Sequence, residues 1–213
     1  MRITHFGHAC VLLETGTARL LLDPGVWSHG FEDLRDLDAV LITHLHGDHL
    51  DPDRLGPLLA ANPDAELITD PGSAAEVVQY GLHARALRPG DDIEVAGAAI
   101  TAVGGAHAEI HPEVVVPPNL GYVVDHGAFY HPGDSLHVPE QRIDVLGLPT
   151  GAPWLKVSEA VEFFRAVAPR VALPIHDLTL SRAGIDSALH RFDTLAPEGA
   201  KVVVLPLADT QEL

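Results

Sequence analysis

Only one cysteine, Cys10, occurs among the 213 residues. A lone thiol excludes an internal disulfide framework and suits a reducing compartment. Cys10 sits in the apolar segment Ala9–Leu13 with no activating neighbour, so it reads as a small core residue and not as a nucleophile. Basic residues are scarce too: 13 Lys and Arg stand against 30 Asp and Glu, for a formal net charge of −17. Nucleic-acid binding rests largely on phosphate neutralisation by Lys and Arg, and no basic run is present, so no nucleic-acid partner is expected. No apolar run approaches the ~20 residues that span a bilayer, so no membrane partner is expected either. Met1-Arg2-Ile3-Thr4-His5 enters an alternating pattern without the apolar core of a signal peptide, which points to the cytoplasm. A Gly-x-Ser-x-Gly elbow is also missing, which argues against covalent serine catalysis.

What the chain does have is a globular composition, with 46% hydrophobic residues and with 19 glycines and 17 prolines spread among the loops. Its length suits one domain over residues 1–213, with homo-oligomer assembly left open. Fourteen histidines stand out, and they are not evenly placed. Directly after the apolar run Ala39-Val40-Leu41-Ile42 comes Thr43-His44-Leu45-His46-Gly47-Asp48-His49-Leu50-Asp51. Imidazole nitrogen and carboxylate oxygen are ligands for zinc, manganese and iron. His44 and His46 alternate as at a strand end and project to one side. Gly47 lets the backbone turn, so that Asp48 and His49 re-approach the same point.

At these residues the chain resembles the metallo-β-lactamase superfamily, whose hallmark is His-x-His-x-Asp-His, here extended by Asp51. The resemblance continues in order along the chain. Val103-Gly104-Gly105-Ala106-His107 matches the family's next histidine, Tyr130-His131-Pro132-Gly133-Asp134 its bridging carboxylate, and Leu173-Pro174-Ile175-His176 its last histidine. It implies a four-layer αββα sandwich, two mixed β-sheets flanked by helices. It implies two divalent ions sharing a water: one held by His44, His46 and His107, the other by Asp48, His49 and His176, with Asp134 between them. Zinc is the first choice from ligand type, with manganese or iron as alternatives because no thiolate selects against them.

The implied chemistry is hydrolysis of a small ester, lactone or phosphoester, with Asp48 and Asp134 as catalytic residues. Two other readings come with the fold: a non-hydrolytic di-iron redox or sensor protein, and a metallo-phosphodiesterase or nuclease. The start Gly7-His8-Ala9 resembles the ascorbate-phosphate lactonase-like branch, although Pro149-Thr150-Gly151-Ala152-Pro153-Trp154 replaces that branch's Pro-Ile-Gly-Gly. Asp23, which closes a strand before Pro24, is expected to orient a ligand imidazole. His8, Asp51, His111 and Trp154, together with Trp27, are candidates for supporting the ligands or shaping the substrate pocket.

Propensity and punctuation give the elements. Strands are expected over Ile3–Phe6, Ala9–Glu14, Ala18–Asp23, Leu67–Thr69, Asp92–Val95, Ala99–Val103, Gly121–Asp125, Ala128–His131, Ile143–Leu148, Val171–Ile175 and Lys201–Leu205. Helices are expected over 52–60, over 73–80 capped by Ser73, from Ser158 as a cap to Pro169, and over 182–195. The proline-rich segment from His107 to Leu120 fits neither period and is expected at the mouth of the cleft.

Overall fold

The computed structural model describes every residue from Met1 to Leu213. The first half of the chain contains β1 (Arg2–His5), β2 (Val11–Glu14), β3 (Arg19–Leu22), β4 (Ala39–Leu41), α1 (Pro52–Ala60), β5 (Glu66–Thr69), α2 (Pro71–Val77) and β6 (Arg85–Ala86). Next come β7 (Asp92–Val95), β8 (Ala98–Gly104), β9 (Leu120–Val124), β10 (Phe129–His131) and β11 (Val145–Pro149). The chain closes with α3 (Val157–Val167), β12 (Val171–Ile175), α4 (Arg182–Thr194), β13 (Lys201–Val202) and β14 (Thr210–Glu212). The strands form two seven-stranded sheets, ordered β14-β1-β2-β3-β4-β5-β6 and β13-β12-β11-β10-β9-β8-β7. Both mix parallel and antiparallel pairs.

Alternation along the strands explains the layering. Leu20 and Leu22 of β3 join a core shared with Tyr122, Val124, Phe129 and Leu173 of the other sheet. Leu21, between them, points outward into a second cluster with Val40, Leu55 and Leu58, under α1. On the other side Tyr130, Leu146 and Ala172 meet Phe163, Phe164 and Phe192 of α3 and α4. Strands buried on both faces need near-continuous apolar runs, which Leu20-Leu21-Leu22 and Ala39-Val40-Leu41-Ile42 supply. The result is the αββα sandwich that the family resemblance implies. No helix is long and apolar enough to cross a membrane.

Some local expectations need correction. The cap of α2 is Asp70, whose carboxylate accepts from Gly72 N and Ser73 N; Ser73 lies inside the helix and bonds back to the same carboxylate. Pro71 favours this earlier start because proline suits the first helical turn. The cap of α3 is Lys156 and not Ser158, with Glu159 reaching back to the Lys156 backbone N–H at 3.0 Å. The final strand is only Lys201–Val202, and the chain end adds β14 beside β1, an edge pairing that polar residues Thr210-Gln211-Glu212 do not advertise. The two-residue β6 is likewise too short for a pattern to mark.

What matters for function is one edge of the sandwich. The chain leaves β1, β3 and β4 at one end of the first sheet, and β8, β10 and β12 at one end of the second. The sheets are stitched there: Tyr122 Oη donates to Ile42 O at 2.9 Å, Leu120 N to Thr43 O at 2.9 Å, and His176 N to His8 O at 2.8 Å.

Candidate metal centre

Five of the strands that end at this edge deliver donors. After β4 come His44, His46, Asp48 and His49, then α1; β8 leads to His107, β10 to Asp134, β12 to His176, and the β1–β2 turn holds His8. Asp23, His8 and His176 adopt left-handed backbone, with φ of 48°, 50° and 55°. Such conformations are uncommon outside glycine and gather at functional sites. Gly133 is required at its position, since φ is +62° and a Cβ would lie 2.2 Å from Asn119 Oδ1. That tight turn brings Asp134 up beside the histidines.

The donors form two groups, His44, His46, His107 with Asp134, and His8, Asp48, His49 with His176; within each, one donor atom per residue lies within 4.8 Å of all the others. The hydrogen bonds behind the rings fix which nitrogen faces inward. His107 Nδ1 donates to Ala108 O at 2.6 Å and His176 Nδ1 to Gly151 O at 2.8 Å. His49 Nδ1 donates to Asp23 Oδ2 at 2.7 Å, and the Thr43 hydroxyl donates to the same oxygen at 2.7 Å. With its proton spent on Asp23, Thr43 Oγ1 accepts from His44 Nδ1 at 3.0 Å. Every one of these rings therefore turns its Nε2 to the cleft.

Those inward atoms lack partners. His49 Nε2, His107 Nε2, His176 Nε2 and Asp134 Oδ1 are buried without a hydrogen bond. His44 Nε2 faces His46 Nδ1 at 3.1 Å. Asp134 stands between the groups: Oδ1 is 3.0 Å from His49 Nε2 and 3.1 Å from His176 Nε2, and Oδ2 is 3.4 Å from His107 Nε2. Zinc–nitrogen bonds of about 2.0–2.1 Å in tetrahedral geometry separate ligand atoms by roughly 3.3 Å. The observed spacings match that edge, so the residues fit divalent ions.

Charge is distributed unevenly. Burial and the neighbouring His49 hold His44 well below the usual imidazole range, and burial also lowers His46. Burial opposes charge on His49, but Asp134 and Asp23 outweigh it and raise its pKa well above that range. His176 goes the same way, to about 9: burial is overcome by the adjacent carboxylates of Asp134 and Asp48. Burial brings His8 down to about 4 despite its bond to Asp48.

The residues expected to support the ligands divide. Asp23 is fully buried and orients His49. His8 is fully buried with Nε2 3.1 Å from Asp48 Oδ2. Trp154 donates its indole N–H to Asp134 Oδ2 at 2.8 Å. Asp51 faces elsewhere: its carboxylate caps α1 and pairs with Arg54 Nε at 2.6 Å. His111 is exposed and bonded to the Glu113 backbone N–H, away from the donors. Trp27 lies edge-on to His8, with ring centres 4.8 Å apart. His131 lies behind Asp23, 3.8 Å from its Oδ2, with Nε2 donating to Ala9 O.

Sequence reasoning missed Thr43 and Asn119. The Asn119 amide donates to Pro132 O at 2.9 Å and its carbonyl accepts from Asp134 N at 2.9 Å, clamping the turn that carries Asp134. Asn119 ends a structureless loop, so no pattern marks it; Thr43 adjoins the motif and was legible only as its neighbour.

Comparison with known proteins agrees with this geometry. The family model for the beta-lactamase superfamily domain matches residues 2–176. Protein Rv0786c of Mycobacterium tuberculosis is 53% identical over 180 residues, covering 83% of this chain and 84% of its own length. An Opitutus terrae protein named UPF0173 metal-dependent hydrolase is 31% identical over 232 residues, covering 100% of both. The structure of Igni18, a metallo hydrolase from Ignicoccus hospitalis, matches with a TM-score of 0.77 at 21% identity, over 100% of this chain and 98% of that one. With the donor residues in order and at one edge of an αββα sandwich, the chain belongs to the metallo-β-lactamase superfamily.

Proposed function

We propose that the protein is a metal-dependent hydrolase with two divalent ions, zinc in the first instance, acting on a small ester, lactone or phosphoester. The observation that carries this reading is the set of buried, unpartnered atoms His49 Nε2, His107 Nε2, His176 Nε2 and Asp134 Oδ1, which belong to the two adjoining donor groups. Buried polar atoms are costly unless something satisfies them. His44, His46 and His107 would hold one ion, Asp48, His49 and His176 the other, and Asp134 would touch both. Such ions supply an acidified water and stabilise the oxyanion that develops on a carbonyl or phosphoryl oxygen.

The chain's own groups do the rest. Asp48, like His46, is a half-open donor, its side chain 19% exposed. One of its oxygens is held by His8 at 3.1 Å and lies 3.4 Å from His176. So fixed, the carboxylate accepts a hydrogen bond from the attacking water and orients it toward the substrate. The Trp154 indole holds Asp134 in place and closes the cleft on that side. The net charge of −17 and the absence of a basic run support a small-molecule substrate over nucleic acid.

The test pairs metal analysis with a substrate panel of lactones, thioesters, phosphodiesters and nitrocefin. More than one metal equivalent per chain and turnover of a small ester or lactone are expected. A single equivalent that titration does not raise would count against two ions, and an iron-loaded, coloured protein inert on the whole panel would count against hydrolysis.

A further inference from the structure

Two cavities flank the donor cluster, and they differ in chemistry. One, of about 500 Å³, lies against Trp154 and is lined in part by Glu109, Lys156 and Glu159. The other, of about 420 Å³, lies on the far side, against His8. Its walls come from distant parts of the chain: Trp27 from the turn after β3, Leu178 from the turn after β12, and Leu205 and Leu207 from the segment before β14. Trp27, Leu178 and Leu207 are 41%, 52% and 60% exposed, an unusual grouping of large apolar side chains around one opening. The only carboxylate in the lining is Asp177, no Lys or Arg is present, and the other polar groups are the imidazoles of His5, His8 and His29. An anionic group would find no Lys or Arg there, whereas a neutral apolar group would cover carbon that now faces water.

We propose that this cavity receives a neutral, apolar arm of the substrate, an alkyl or aryl group several carbons long, whose scissile bond then lies at the metal centre. The inference rests on the hydrolase reading and narrows its substrate class. Adjacency carries it: His8, fully buried, lines the cavity and holds Asp48, so a single side chain stands between the apolar chamber and that carboxylate. The edge-on contact between Trp27 and His8 fixes the wall nearest the donors.

The test separates binding from turnover. Neutral alkan-2-ones from four to ten carbons carry no hydrolysable bond. In the Trp154→Phe variant Trp27 is the sole indole, because the chain has two. Its fluorescence should shift on ketone binding, with affinity rising about two- to fourfold per added methylene. Leu178→Asp and Leu207→Asp, both at exposed positions, should weaken decanone binding at least tenfold. In the wild-type protein, kcat/KM on p-nitrophenyl esters should rise from acetate through butyrate to octanoate, and Leu207→Asp should flatten that rise. Ester turnover that ignores chain length, with no Trp27 response, overturns the inference and leaves the hydrolase standing. Length-dependent ketone binding without turnover of any ester retires the hydrolase and keeps the chamber's ligand class. A dimer seen by sedimentation that Leu207→Asp dissociates, with no ketone response, assigns the patch to a second copy and also overturns it.

Discussion

The group of His44, His46, His107 and Asp134 and the group of His8, Asp48, His49 and His176 share one edge of the sandwich but differ in what stands behind their imidazoles. Behind the first are neutral acceptors, the Thr43 hydroxyl and the Ala108 carbonyl. In the second, Asp23 braces His49 while the Gly151 carbonyl stands behind His176, and Asp48 lies against the Nε2 atoms of His8 and His176. The electrostatics differ as well: burial lowers the first pair, and Asp134, ahead of Asp23 and Asp48, raises the second. His44 and His46 are held neutral, whereas His49 and His176 are pushed toward the imidazolium form. One pocket is bare and ready for a cation; the other holds protons that a cation must displace.

Asp134→Ala gives the largest expected effect, because this carboxylate touches both groups. Metal content should fall below one equivalent and turnover by at least about a thousandfold. Retention of a full equivalent in the first group would show that the groups are independent, and would break the idea of a shared centre.

Next comes pH. His176, with a pKa of about 9 in the metal-free protein, is mostly protonated at neutral pH, so metal must displace that proton. Affinity of the second group should therefore fall about tenfold per pH unit for each proton displaced as the medium is acidified from pH 8 to 6. The first group, whose His44 and His46 are already neutral, should change little over that range. Titration calorimetry in buffers of different ionisation enthalpy would count the protons released. A pH-independent second site would remove the contrast. The same raised pKa stabilises the metal-free fold below the unfolded value of 6.5, and that contribution is lost as pH climbs through about 9.

Asp23→Asn sharpens the comparison further. His49 should lose its negative brace, weakening metal at the second group by about ten- to a hundredfold. His44 meets Asp23 only through Thr43, so the first group should weaken less. Equal losses in both would mean that Thr43 relays the carboxylate's effect in full. The smallest effect belongs to Asp51→Ala. It removes the α1 cap and a partner of Arg54, costing about 1 kcal/mol in a denaturant titration while metal affinity stays unchanged.

The contrast between Asp23 and Asp51 shows how far a sequence reading reaches. Both are carboxylates near the motif, and both were expected to serve the ligands. Asp23 follows β3, whose register on β4 sets it opposite Ile42, and its carboxylate turns to accept from Thr43 N at 2.8 Å. Asp51 precedes Pro52, and a carboxylate just before a proline-led helix is claimed by the backbone N–H groups of the first turn. That local signal was present in the sequence, but the density of donors next to it masked it.

The sequence by itself determined the layered α/β architecture, through doubly apolar strands, and the donor types, through a motif whose members lie a few residues apart or directly after a strand. Such features depend on local periodicity and on short chain reach, so they survive without coordinates. Only the tertiary structure decided that Trp154 bonds to Asp134, that Asn119 clamps the Gly133 turn, and that His8 reaches Asp48 forty residues away in the chain. It alone brought Trp27, Leu178 and Leu207 around one opening. These pairings depend on which loops the two sheets bring together at their common edge, and no single segment carries that information.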